Sequence, residues 1–340
     1  MISVLENFRD SFARGDSFDE ENAETLLDAM INEMDEALLS SVFASWHRKG
    51  IEADEIYAIA KVMRDRCRKV NSRHETVTDI VGTGGSRSKT FNVSTAAAFV
   101  VAGEGVPVAK HGNKAATSNS GSADVLSELG VDHAVDPAVA ERILNEIGLC
   151  FMYAPNHHRL SLTLAKVRRA LGFHTIFNCV GPLCNPAGAQ HQLIGVWQRD
   201  LVSKMADALA RLGTTRSWIV HGSDGLDEIT LNGPTHVAEV DGTKVREFEI
   251  TPADFRFHAQ TMAGIYAHDA VESASMIEKI LSGFAKGELG EKIVLANAAS
   301  AMYLSGRFAD LKDATKAATE SIRSGKAIGK LNALREMTAE

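Results

Sequence analysis

Hydrophobic and polar positions divide the chain near residue 72. Before that point apolar residues recur at helical spacing. "FDEENAETLLDAMINEM" carries acidic residues early and an apolar stripe at Leu26, Leu27, Met30 and Ile31. "DEALLSSVFASWHRKG" repeats the pattern and stops at Gly50, and "EADEIYAIAKVMRDRCRKV" continues it. The spacing predicts three or four amphipathic helices and no strand. So few helices enclose no sizeable core alone, so their apolar faces must pack on the rest of the chain or on a second copy.

From residue 78 short apolar runs take over: "TDIVG", "VPVAK", "CFMYA", "QLIGV" and "SWIVH". Helical segments at 95–102, 122–129, 139–147, 160–171 and 201–212 stand between or beside them. This alternation predicts parallel strands with helices on the faces. "EITLNGPTHVAEVDGTKVREFEI" breaks the rhythm, and its "NG" and "DG" dipeptides between β-prone runs predict an antiparallel excursion. The remainder returns to helices, with no repeat or low-complexity segment. The expected fold class is α/β: a small N-terminal helical bundle domain, residues 1–72, and a larger α/β domain, residues 73–340, with a mainly parallel central sheet.

Composition narrows the function. With 45% apolar and 24% charged residues the 340-residue chain reads as an ordinary globular protein, and its net charge of -8 argues against a nucleic-acid partner. The N-terminus has no apolar signal region, and no run approaches the ~20 apolar residues of a membrane span. Cys67, Cys150, Cys179 and Cys184 show no paired-ligand spacing and read as free thiols, which fits a reducing cytoplasm.

Three loops carry chemistry, each at the carboxyl end of an expected strand, where α/β sheets bind ligands. "DIVGTGGSRSKTFNVST" brings Gly82, Gly84 and Gly85, whose missing Cβ lets backbone N–H groups approach an anion, and ends with Ser94 and Thr95 at a helix mouth. "VAKHGNKAATSNSGSAD" offers Lys110, His111, Asn113 and Lys114, then Thr117, Ser118, Ser120 and Ser122, a donor set suited to several phosphate oxygens. "HGSDGLDEITLNG" places Asp227 and Glu228 side by side, an oxygen pair for Mg²⁺. Taken singly, the residues leave other readings open: a glycine turn with ordinary helix caps, a solvated Lys110, a backbone-satisfied His111, and solvated adjacent acids.

Together, "GTGG", "NVST", "KHGN", "SGSAD", "KVRRALG", "TIFNCVGPLCNP" and "GLDEIT" occur in the order and spacing of the anthranilate phosphoribosyltransferases, which the chain resembles from about residue 5 to 335. The resemblance implies a helical domain, with a helical contribution from about 163–190, hinged to an α/β domain, and a homodimer through the helices. It implies a transferase without a covalent nucleophile, working by positioning and electrostatics on 5-phosphoribosyl 1-diphosphate (PRPP) and anthranilate. For PRPP it implies Gly82, Gly85, Ser86, Thr90, Asn92, Val93, Ser94 and Thr95, then Lys110, His111, Gly112, Asn113, Lys114, Ala115, Ala116, Thr117, Ser118 and Ser122. For anthranilate it implies Gly82, Asn113, His158, Arg168 and Pro182. Two Mg²⁺ ions are implied, with Ser94, Asp227 and Glu228 as ligands.

Arg168 suits an acceptor carboxylate because it borders the stripe Leu160, Leu164, Val167 and Leu171, whereas Arg169 points about 100° away into solvent. One position departs from the family. Ser86 stands where an aspartate is usual, followed by Arg87 and Lys89, which predicts activity with an altered Mg²⁺ dependence. Two alternatives share the architecture: a pyrimidine nucleoside phosphorylase and a non-enzymatic nucleic-acid-binding relative. Arg168 and the paired acids disfavour the first, and the intact loops with an acidic balance disfavour the second.

Overall fold

The structure, a computed structural model, describes residues 3–84, 90–115 and 120–339. Four helices open the chain: α1 (Val4–Arg14), α2 (Glu20–Asn32), α3 (Glu36–Lys49) and α4 (Ala53–Arg66). Their ends follow from local chemistry. Ser3, Asp19 and Asp35 accept backbone N–H groups at the first three N-termini, and Gly15 and Gly50 close α1 and α3. Leu26, Leu27 and Met30 are buried as the stripe requires, and Ile31 lies at its margin.

The sheet segment follows: β1 (Thr78–Gly82), α5 (Val93–Gly103), β2 (Val108–Gly112), α6 (Ser122–Glu128), α7 (Pro137–Ile147), β3 (Leu149–Tyr153), α8 (Ala154–His158), α9 (Leu162–Ala170), α10 (Ile176–Leu183), β4 (His191–Gly195), α11 (Leu201–Leu212), β5 (Arg216–Gly222), β6 (Thr235–Asp241) and β7 (Lys244–Ile250). Helices α12 (Ala270–Leu281), α13 (Leu289–Leu304), α14 (Leu311–Arg323) and α15 (Lys326–Ala339) complete it. Among the described residues there is one seven-stranded sheet, in the order β3-β2-β1-β4-β5-β6-β7. Strands β1 to β5 run parallel, and β6 and β7 are antiparallel additions.

Alternation along the strands divides the apolar residues between two faces. Ile80, Leu193, Trp218 and Val237 join one cluster with α5 and α13. Their neighbours Ile194, Ile219 and Ala238 join another, shared with the four N-terminal helices, α10 and α11. The helical layer therefore buries its stripe on the sheet side of this same chain. No helix among the described residues is long and apolar enough to cross a membrane. Cys150, Cys179 and Cys184 are buried free thiols and Cys67 is half-buried.

The expected antiparallel excursion is present as β5–β6–β7, with two local details that the sequence pattern left open. "DG" makes the β6–β7 hairpin, with Gly242 at φ 58°, but "NG" at Asn232–Gly233 makes no hairpin turn. It lies in the connection 223–234, because β5 and β6 pair along their whole length from Arg216↔Asp241 to Gly222↔Thr235. That pairing leaves the connection projecting from the carboxyl edge, with Asp227 and Glu228 on it. Periodicity alone also gave no helix over "TIFNCVGPL". Helix α10 forms there because Thr175 and Asn178 make a capping box and Pro182 stands one residue before its end.

Candidate active site

The sheet order reverses between β1 and β4, and a crevice opens at such a point. In the register of these strands Gly82 lies beside Gly195. The absence of two side chains makes a ledge, and the turn carrying Asp227 rests on it. A Cβ on Gly195 would stand 1.6 Å from the Asp227 carbonyl oxygen, and one on Gly82 would stand 3.1 Å from its carboxylate. Two glycines thus let a loop leaving β5 cross β4 and reach β1.

Helix α5 enters the same crevice. Its first turn holds Val93, Ser94 and Thr95, and the Ser94 backbone N–H favours the charged form of the Glu228 carboxylate, as a helix N-terminus does. Burial, then Asp227, pushes the half-buried Glu228 up to about 8, with Lys110 opposing. Lys110 is buried on β2. Its Nζ donates to the Ile80 carbonyl at 2.6 Å and the Ser94 hydroxyl at 3.3 Å. Burial lowers its pKa, and Asp79 and Glu228 raise it. A freely solvated Lys110 is thereby excluded.

The second loop is folded onto α6. Asp124 accepts the Ala115 and Gly121 N–H groups, each at 2.9 Å, and a Cβ on Gly121 would meet the Ala115 nitrogen at 2.4 Å. Asn92 ties this loop to the first, its carboxamide oxygen accepting the Ser120 hydroxyl at 2.9 Å and the Ser273 hydroxyl at 3.0 Å. Thr90 bridges to Tyr266. Gly112 packs beside Ser122, and Asn113 and Lys114 are exposed. Gly85, Ser86, Ala116, Thr117 and Ser118, five of the residues expected at PRPP, lie outside the described residues.

Helix α10 organises the other side. The Arg168 guanidinium sits 4.7 Å over the Phe177 ring, its Nε has no hydrogen-bond partner, and burial lowers its pKa to about 10. Arg169 is exposed, as expected. One turn beyond Phe177, the Gly181 carbonyl accepts His111 Nδ1–H at 3.2 Å, and His111 Nε2 lies 3.2 Å from His158 Nε2. Burial holds both rings neutral: His111 titrates well below its ordinary value and His158 at about 4. Pro182 is buried in the same helix. Asn178 donates from Nδ2 to the Thr83 carbonyl at 3.4 Å, fastening α10 to the first loop.

Buried polar atoms are nearly always hydrogen-bonded. Thr83 Oγ1, Thr95 Oγ1, His158 Nδ1 and Arg168 Nε lack partners among the described residues. Thr83 directly follows β1, Thr95 lies in the first turn of α5 and His158 stands against His111. Sequence reasoning overlooked Asp79, Asn178, Asn185 and Gly195. The signal for Asp79 was an acid inside an apolar strand, and both asparagines stood in plain view in "TIFNCVGPLCNP".

Residues 74–328 match the family described as "Glycosyl transferase family, a/b domain". The anthranilate phosphoribosyltransferase of Methylobacillus flagellatus is 43% identical over 320 residues, 93% of either chain. The chain belongs to the anthranilate phosphoribosyltransferases. The solved structure of the Thermus thermophilus member superposes with a TM-score of 0.89 at 33% identity, covering 98% of this chain and 99% of that one. The Saccharomyces cerevisiae member, solved in complex with PRPP and Mg, gives 0.83 at 27% identity, covering 99% and 94%. The same yeast family member was also solved with 4-fluoroanthranilate, at a TM-score of 0.80 and 26% identity over 99% and 94%.

Proposed function

We propose that this chain transfers 5-phosphoribosyl from PRPP to the amine of anthranilate and releases diphosphate, the second step of tryptophan synthesis from chorismate. The observation that carries the reading is the Asp227–Glu228 turn, seated on the Gly82/Gly195 ledge beside the mouth of α5. It sets a carboxylate pair against amide and hydroxyl donors, the combination a metal-bound diphosphate requires.

The pair fits Mg²⁺. Burial and then the Asp227 charge raise Glu228 against the opposing Lys110, and among the described residues no group of three or more His, Cys, Asp or Glu could hold a metal ion on protein side chains alone. Mg²⁺ takes one or two carboxylates and completes its shell with phosphate oxygens and water. Ser94, Asp227 and Glu228 would hold the metal, two ions in our reading, and it would neutralise charge on the departing diphosphate.

The remaining work belongs to the protein. The N–H groups of the first two loops and of the α5 mouth hold phosphate oxygens. Arg168 takes the anthranilate carboxylate through its fork and leans on Phe177. The amine faces ribose C1 from the side opposite the leaving group. The C1–O bond breaks with its electron pair going to diphosphate, the C1–N bond forms, and the nitrogen sheds its surplus proton to solvent. Holding the reactants in this order supplies most of the advantage. Met34 (76%) and Leu162 (88%) are exposed, and the Thr163 hydroxyl, next in sequence to Leu162, lies 3.7 Å from Met34 Sδ. They support a homodimer through this helical side.

The test is loss of anthranilate fluorescence with PRPP and Mg²⁺. Turnover that falls at least about a hundredfold in Asp227→Asn/Glu228→Gln supports the reading. Phosphorolysis of thymidine without PRPP turnover overturns it.

A further inference from the structure

Between Ile293 and Ala299 helix α13 is buried all round, and Asn297 is the single polar side chain in that stretch. Asparagine is a poor helix former, and a buried amide costs free energy unless it is hydrogen-bonded. For stability alone, alanine or leucine would suit this position better. The Asn297 amide is fully engaged instead. Its Nδ2 donates to the Ile293 carbonyl, one turn back, at 2.9 Å and to the Ile229 carbonyl at 3.2 Å. Its Oδ1 accepts the Ile229 N–H at 3.0 Å. Only this orientation of the amide satisfies all three backbone groups.

Ile229 directly follows Glu228, and its N–H belongs to the planar peptide unit that begins at the Glu228 Cα. The double bond to Asn297 therefore fixes the backbone on which the Glu228 side chain stands. At the other end of the acid pair, the Leu226 carbonyl accepts the Gly222 N–H at 2.8 Å, which fixes the peptide leading to the Asp227 Cα. Helix α13 also packs along α5, whose first turn carries Ser94. Through Asn297 the acid turn is tied to the helix that backs the remaining proposed metal ligand.

We propose that Asn297 is a positioning residue for the metal-diphosphate site: by clasping both backbone groups of Ile229 it sets the Glu228 carboxylate against Ser94. Mg²⁺ demands near-octahedral geometry at about 2.0–2.1 Å, so a small retreat of one carboxylate weakens its hold. Without the clasp, the Ile229 N–H and carbonyl lose buried partners, and the turn must shift to find others. This inference rests on the metal reading above, and it adds a residue whose amide is already engaged and takes no substrate.

Equilibrium dialysis of Mn²⁺ against the full chain at fixed PRPP, with no acceptor, tests it without turnover. Asn297→Leu keeps the bulk and loses the clasp, and should raise the Mn²⁺ midpoint about tenfold, or ~1.4 kcal/mol. Leu304→Ala is the control, a cavity at the far end of the same helix, where the side chain is fully buried. It should lower the unfolding temperature and leave the midpoint unchanged. Asn297→Ala leaves the freed Ile229 groups room for water. It should shift the midpoint in the same direction by less, and it carries the test if Asn297→Leu does not fold. An unchanged midpoint in a folded Asn297 variant, or an equal shift in Leu304→Ala, overturns the proposal and leaves the metal reading standing. Wild-type protein that gathers no Mn²⁺ overturns both.

Discussion

Replacing Gly195 with alanine puts one methyl group where the Asp227 carbonyl stands. The Gly195 backbone is one that alanine adopts without strain, so the whole effect is contact. The new carbon would lie 1.6 Å from that oxygen, and real Cβ contacts essentially never fall below 3.0 Å. The neighbour is backbone and cannot rotate away, so the turn must retreat by more than about 1 Å. Misplacement on that scale costs about a hundredfold in rate, equal to ~2.7 kcal/mol of barrier. Overpacking takes about 1–3 kcal/mol from stability as well.

Gly82→Ala makes a graded comparison. Its methyl would meet only the Asp227 carboxylate at 3.1 Å, a group that can swing by a few tenths of an ångström. Gly329→Ala adds a methyl in α15 with nothing within 4 Å, and should change no rate. The assay is anthranilate fluorescence at saturating PRPP and Mg²⁺, with thermal unfolding on each variant. The expected order of damage is Gly195→Ala far above Gly82→Ala, and Gly82→Ala above Gly329→Ala. A folded Gly195→Ala enzyme within about threefold of wild type would refute the claim that the ledge sets the carboxylates.

Three further outcomes follow from the same geometry. Arg168→Ala should raise the anthranilate KM by about a hundredfold and leave the PRPP KM nearly unchanged, since a charge-assisted pair is worth ~2–3 kcal/mol; equal effects on both constants would remove Arg168 from the acceptor site. His158 is held at about 4, below its ordinary 6.5, first by burial and then by His157. The unfolded chain therefore binds more protons than the folded one between these values, so stability is complete above about pH 6.5 and falls as pH drops towards 4. The loss should reach no more than about 3 kcal/mol, and urea titrations of His158→Gln should show a flatter pH dependence than wild type; identical slopes would contradict it. In the helical layer, the buried Glu55 carboxylate pairs with Lys49 at 2.8 Å and accepts Trp46 Nε1–H at 2.9 Å and the Ser17 hydroxyl at 2.8 Å. Lys49→Met should cost about 3–5 kcal/mol in chemical denaturation, and Glu55→Gln in the same chain should recover part of it. No recovery would show that the loss is not one of charge.

What the sequence disclosed depended on how far apart the cooperating residues lie. Alternating apolar runs revealed the parallel strands, because each strand's signal is contained within about five residues. The loops were legible for the same reason: "NVST" announces its helix mouth, and Asp227 and Glu228 are adjacent. Gly195 carried no such signal. Inside "QLIGV" it reads as a weak strand residue, and its purpose depends on a turn that arrives from beyond β5. Asn185 meets Asp79 across 106 positions, and no local pattern foretells that bond.

Lys110 illustrates how the two kinds of information combine. The sequence marked it as a phosphate ligand because it follows a strand and precedes a hydroxyl-rich loop. The fold spends two of its donors on Ile80 and Ser94, and burial lowers its pKa while Asp79 and Glu228 raise it. A cation tethered in that way would act on a diphosphate of the proposed reaction through its field and through the hydroxyl it holds, more than by a free contact. Its position is then a property of β1, β2 and the segment after α10 together.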